Sequence, residues 1–247
     1  MDARTYAPSP DLAHVVAALW MSRWDLRGQA PHVVELLSDP SVNVAFEAGR
    51  GRVVGVHTTL WRRELSGASL VRAVKLRPGA ARAVLGAPAH RFTDRSTPAG
   101  RVLGRGVQAA ARAILAPSRD DDGLEALQDL LRARVPAVLD AKASLAVALV
   151  DEVASSPELT SVAGLAKRAG LSTRPLERLF RDEVGASPKW VIRRARLQEA
   201  ALSLERGDRG SLAELAARLG YADHAHLTRD FKAATGKSPS AFTRSVR

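Results

Sequence analysis

Two short stretches of the chain place cations at helical spacing. Arg174, Glu177, Arg178 and Arg181 fall at i, i+3, i+4 and i+7, so a helix would put them on one face. His224, Ala225, Thr228, Arg229 and Lys232 form a matching face further along. A guanidinium fork suits the O6 and N7 of guanine, a carboxylate accepts from cytosine N4, and a small apolar side chain meets the thymine methyl. On that chemistry Arg174 and Arg178 are expected to read guanine, Glu177 cytosine and Ala225 thymine. His224, Thr228 and Arg229 complete the base-reading candidates. Thr173, Arg181, Arg194 and Lys232 are the candidates for phosphate, a contact that gives affinity without sequence information. For Glu177 the competing expectation is an ion pair with Arg174 or Arg181. His224-Ala225-His226 does not predict a metal site, because histidines two apart on a helix do not converge on one ion.

Other chemistries find little support. The 247 residues include no cysteine, which excludes disulfides, thiolate metal sites and cysteine nucleophiles. His14, His32, His57 and His90 are scattered, without a close carboxylate pattern. No nucleophile elbow, phosphate loop or dinucleotide fingerprint occurs. No catalytic residue, cofactor or metal is therefore expected. Lysine and arginine number 37 against 26 aspartate and glutamate, a net charge of +11. Of this, +7 falls from Pro157 onward, where 17 basic residues face 10 acidic ones. Such a balance suits a polyanionic partner. No apolar run approaches the ~20 residues needed to span a bilayer. Met1 to Pro10 lacks a signal-peptide pattern, so no membrane partner and a cytoplasmic location are expected.

The elements that would position the two faces are visible as a duplication. Leu165/Leu215, Ala166/Ala216, Arg168/Arg218 and Gly170/Gly220 match at an offset of 50. Leu176/Leu227, Arg178/Arg229, Phe180/Phe231, Gly185/Gly236, Ser187/Ser238 and Pro188/Pro239 match at 51. Ser161 and Ser211 are expected to cap the first helix of each copy, and Ser172 and Asp223 the second. Gly170 and Gly220 allow the left-handed residue that ends a helix, and Pro175 falls in a first turn, where proline costs little. Leu176, Leu179 and Phe180, like Leu227 and Phe231, form a buried stripe. Each copy thus reads as a helix-turn-helix unit. Between them Ser187-Pro188 starts a helix to about Gly207, a rod of roughly 28 Å at 1.5 Å per residue. Arg193, Arg194 and Arg196 lie along it. Major grooves on one face of DNA recur roughly every 34 Å, so such a rod could hold two recognition helices in adjacent grooves.

From Pro157 to Phe242 the chain resembles the DNA-binding domain of AraC-type transcriptional regulators. The resemblance rests on Leu165-Ala166, Ala169-Gly170-Leu171-Ser172, Arg178, Phe180, Gly185, Ser187-Pro188 and Arg196-Leu197. Its second half rests on Leu219-Gly220-Tyr221, His224, Leu227, Arg229, Phe231-Lys232, Gly236 and Ser238-Pro239. It implies double-stranded DNA as partner, a nucleoid-associated regulator, and both units in successive major grooves. It also implies that the remaining domain senses a small-molecule effector, forms a homodimer, or does both; RNA polymerase is a further partner of such a regulator.

The fold class expected is α+β. Residues 1–118 read as a β-rich domain, a cupin-like barrel or a sandwich, from short apolar runs near His14–Val16, Val33–Leu37, Val42–Phe46, Val53–Val56 and Leu70–Val74. Gly49-Arg50-Gly51 reads as a hairpin turn, Pro78 starts a short helix, and helices follow near Gly100–Leu115, Asp121–Arg134 and Ala137–Ser155. Residues 119–156 would be a helical connector, open to a dimer contact, and 157–247 the all-α double helix-turn-helix domain. Trp20, Phe46, His57 and Trp61 are the candidates for an apolar ligand pocket. Two alternatives stand beside the regulator: a cupin-type metal enzyme fused to a DNA-binding module, and an architectural protein without sequence preference.

Overall fold

The computed structural model describes residues 1–104, 106–116, 119–208 and 210–246, with the side chains of 245 and 246 left aside. Eight strands come first: β1 Asp2–Tyr6, β2 Val16–Leu26, β3 His32–Leu36, β4 Asn43–Glu47, β5 Arg50–Val54, β6 Trp61–Leu65, β7 Gly67–Leu76 and β8 Ser96–Pro98. Six of them form a sheet in the order β1-β2-β7-β4-β5-β8, while β3 and β6 pair as a separate ribbon. The sheet is a layered arrangement with two free edges among the described residues, on the sandwich side of the expectation. The expected turn lies one residue early: Ala48 and Gly49 both take positive φ, and Arg50 already belongs to β5.

Eleven α-helices occur among the described residues. Helix α1, Ala81–Leu85, lies between β7 and β8, and four more connect the two halves: α2 Ala99–Leu103, α3 Val107–Leu115, α4 Asp120–Arg132 and α5 Ala141–Ser155. The single helix expected near Gly100–Leu115 is broken at Gly104, whose φ of 84° ends α2. Strand β7 explains how this layer is fastened. It is buried on both faces, with Val71 and Ala73 under the ribbon and Val74 and Leu76 in the main core. Arg72, wholly buried on the core side, donates to the Ile114 carbonyl at 2.7 Å and to the Asp120 carboxylate at 2.8 Å. One side chain thus holds the end of α3 and the start of α4, and the guanidinium keeps the Asp120 carboxyl below its usual range.

The largest hydrophobic cluster runs from Leu12 in the β region to Ile192, through α3, α4 and α5. It takes in Leu165, Ala166, Leu176, Leu179 and Phe180 of the first repeat. The second repeat has a smaller cluster of its own: Leu197, Ala200, Ala201, Leu215, Ala216, Leu219, Tyr221, Leu227, Phe231 and Ala234. Among the described residues no helix is long and apolar enough to cross a membrane.

Candidate nucleic-acid interface

The first unit consists of α6 Val162–Arg168 and α7 Thr173–Leu179, the second of α9 Leu212–Arg218 and α10 His224–Thr235. Between them runs α8, Pro188–Arg206, 19 residues long. Four of five helix starts are closed by the same bond, from the third helical N–H to the capping oxygen. Ser161 accepts from Gly164, Ser187 from Trp190, Ser211 from Glu214 and Asp223 from His226. Ser211 and Glu214 close a reciprocal capping box. Ser172 departs from expectation: it has the extended backbone of a cap but makes no side-chain capping bond. The third helical residue there is Pro175, which has no N–H to donate. Each pair of helices turns on the expected glycine, Gly170 at φ 63° and Gly220 at φ 69°. Behind each, the next N–H reaches back to Ala166 or Ala216.

These turns present the expected faces. Thr173, Arg174, Glu177, Arg178 and Arg181 are exposed on the first unit; His224, Ala225, Arg229 and Lys232 are exposed on the second, with Thr228 half-buried. Their opposite sides, Leu176 with Phe180 and Leu227 with Phe231, are fully buried. The competing ion pair of Glu177 does not form: Arg181 turns to Asp182 at 2.9 Å. Neither Arg174 nor Arg178 makes a hydrogen bond or ion pair among the described residues, so their donors face outward unspent.

The rod's arginines behave differently, and Arg194 corrects the expectation of a phosphate contact. It is 4% exposed and stacks on Trp190 at 4.8 Å. Its Nη2 lies 3.5 Å from the Thr58 carbonyl, and burial lowers its pKa to about 10. A side chain so enclosed cannot reach a phosphate. Arg193 instead forks onto Asp230 of α10, with both bonds at 2.8 Å. Arg196 donates to the Leu219 carbonyl at 2.6 Å and covers the Tyr221 ring at 3.8 Å. The Arg193 contact had a signal in the sequence: Arg193, though exposed, continues the helical stripe of Leu197, Ala200 and Leu204 that faces the second unit.

The β region is joined to the first unit just beyond α7. A π-helical turn, Phe180–Val184, follows that helix. Its Asp182 lies 3.4 Å from His90 and its buried Glu183 3.2 Å from Arg82. Desolvation raises the Glu183 carboxyl pKa against the pull of Arg82. Thr93 donates to the Gly185 carbonyl, and Trp190 Nε1 to that of Thr58 at 3.0 Å.

The four residues proposed for a ligand pocket are not brought together. Phe46 is fully buried in the main core. Trp20 projects from the other face of the sheet, under the ribbon, with its Nε1 on Asn43. Alternation along β4 separates the two, since Val44 and Phe46 face the core while Ala45 faces the ribbon. Trp61 pairs with Leu36 within the ribbon, and His57 precedes the Thr58 joint. An open groove of about 680 Å³ beside Asp2, Arg23, Trp24 and Ser69 includes none of the four. Among the described residues no group of three or more histidine or acidic side chains could hold a metal ion.

Comparison with known proteins bears on both halves. Residues 165–245 match the family model of a helix-turn-helix domain, and residues 4–98 that of a domain of unknown function, DUF6597. An uncharacterized HTH-type transcriptional regulator of Haemophilus influenzae is 35% identical over 82 residues, 33% of this chain and 27% of that protein. Probable transcription factor PqrA of Proteus vulgaris is 35% identical over 78 residues, 32% of this chain and 63% of that protein. The chain thus spans less than two thirds of the length of either curated relative. ToxT from Vibrio cholerae, solved in its apo form, aligns over 99% of this chain and 100% of its own, with a TM-score of 0.51 at 10% identity. It shares the order of a β-rich half before a helical one. Residues 165–245 accordingly form a helix-turn-helix domain.

Proposed function

We propose that the chain is a sequence-specific, DNA-binding transcriptional regulator that lays α7 and α10 in successive major grooves on one face of the duplex. One observation carries this reading: two copies of one capped helix pair, on a single 19-residue rod, each with an exposed arginine on its second helix. Arg174, Glu177 and Arg178 would read bases from the first unit and His224, Ala225, Thr228 and Arg229 from the second. Thr173, Arg181 and Lys232 would meet phosphate. The names of the two curated relatives agree with a regulator. The net positive charge favours association with a polyanion.

The β-rich half, packed against the first unit, would sense a small molecule, join two copies, or both, with RNA polymerase as a further partner on the nucleoid. This reading gives the protein no enzymatic role. Selection of bound sites from random DNA by the full chain tests it. The expected product is two short motifs about one helical turn apart. Recovery of unrelated sequences, with binding equally well competed by any DNA, would contradict it and favour an architectural protein.

A further inference from the structure

Helix α8 passes from one hydrophobic cluster to another along its length. Val191 and Ile192 belong to the large cluster, Leu197 and Ala200 to the small one. Arg193 stands between them. Its Nε donates to one oxygen of Asp230 and its Nη2 to the other, both at 2.8 Å. Asp230 follows Arg229 on the second recognition helix. His226, one turn earlier, brings its Nε2 within 3.9 Å of the same carboxylate and its ring edge-on to Tyr221 at 5.1 Å. Arg196 of the rod covers that Tyr221.

Apolar contacts such as Phe231 and Leu227 against Leu197 hold two helices together but resist rotation weakly, because they have no direction. A two-pronged guanidinium–carboxylate pair does have direction. We propose that Arg193 is a positioning residue that sets the spacing accepted between the two DNA motifs, by fixing the rotation of α10 about the rod. This rests on the DNA-reading proposal above. Moving one motif by a base pair displaces it by about 3.4 Å and turns it by about 35° around the duplex. With the fork in place α10 cannot follow; without it Arg196 still grips Leu219 and Tyr221, ahead of that helix, but α10 itself is held to the rod by apolar contacts and can turn to meet the motif.

The test uses the full chain and duplexes carrying the two selected motifs at the preferred spacing and at one base pair more or less. For the unaltered chain, affinity is expected to fall about 10-fold at either altered spacing, as simultaneous engagement is lost. In Arg193→Met the fall shrinks to about 2-fold, while affinity for a duplex carrying only the first motif stays unchanged. Asp230→Asn, which weakens the fork from the other side, gives the same flattened profile. Arg193→Lys, a charge without a fork, behaves as Met does. A wild-type spacing profile in Arg193→Met or Asp230→Asn overturns the inference, as does equal weakening at every spacing. If the unaltered chain selects no two-part site, the DNA-reading proposal itself falls, and this inference with it.

Discussion

The two helix-turn-helix units share a sequence pattern but not a mode of support. In the first, Leu165, Leu176 and Phe180 belong to the cluster that also contains Val44 and Phe46 of the sheet. Its outgoing turn is tied to the β-rich half through Arg82, His90 and Thr93. The second has a core of its own, fastened to the rod by Arg193 and Arg196. From the β-rich half, Leu37 packs at the rim of the small cluster and Leu60 lies beside the turn at Gly236. A duplicated motif can therefore yield one helix pair built into the body of the protein and one carried on it.

The largest effects should come from the buried aromatics that correspond in the two units. Phe180→Ala and Phe231→Ala each remove a fully buried ring and should cost about 3–5 kcal/mol. Their reach should differ. Calorimetry should show Phe180→Ala lowering the main unfolding transition, and Phe231→Ala splitting off an early one for residues beyond about Leu197. A single shared transition in both variants would break the comparison.

Next come the turns that follow the second helix of each unit. Gly185 has φ 87°, and a Cβ there would stand 3.2 Å from the Ala89 backbone. Gly236 has φ 75°, with its closest neighbour, a movable Leu60 methyl, at 3.4 Å. Both alanine variants incur the left-handed cost of about 1–3 kcal/mol. Thermal unfolding should show the larger loss for Gly185→Ala, where rigid backbone cannot yield.

Binding should then sharpen the equivalence of the exposed faces. Arg178→Ala and Arg229→Ala are each expected to lose about 1–3 kcal/mol of affinity and to relax one motif only. Smaller still is the pH response of the first unit's seam. Burial raises the Glu183 carboxyl pKa above its ordinary value of 4.5, so the folded state favours the neutral acid. That contribution is present below pH 4.5 and is lost as pH rises through the raised value. Unfolding titrations should show Glu183→Gln removing this part of the decline; an unchanged profile would assign it elsewhere. Last, Lys232→Ala should reduce the salt slope of DNA binding by about 0.9, while Arg194→Met should leave it unchanged.

What the sequence disclosed follows from how local each signal is. The caps at Ser161, Ser211 and Asp223 and the turns at Gly170 and Gly220 depend on residues three or four apart, and all were readable. Ser172 misled because a proline three positions on withholds the donor its cap requires. Strands β1, β6 and β8 carry no apolar run: Asp2–Tyr6 is largely exposed, Trp61–Leu65 holds three charges, and Ser96–Pro98 is three residues long. They exist because a neighbouring strand pairs with them. Trp20 and Phe46 failed as one pocket for a related reason, since the face a strand residue takes is set by its register in the whole sheet. Arg194 looked like a cation on an exposed rod until Thr58, 136 residues away, closed over it.

If the two corresponding faces touch one DNA duplex together, hydroxyl-radical footprinting on a selected site should record both contacts at once. The full chain should protect two patches on one side of the helix, centred about 10 base pairs apart. Arg178→Ala should weaken one patch and Arg229→Ala the other. A single protected patch, or the same patch weakened by both substitutions, would contradict it.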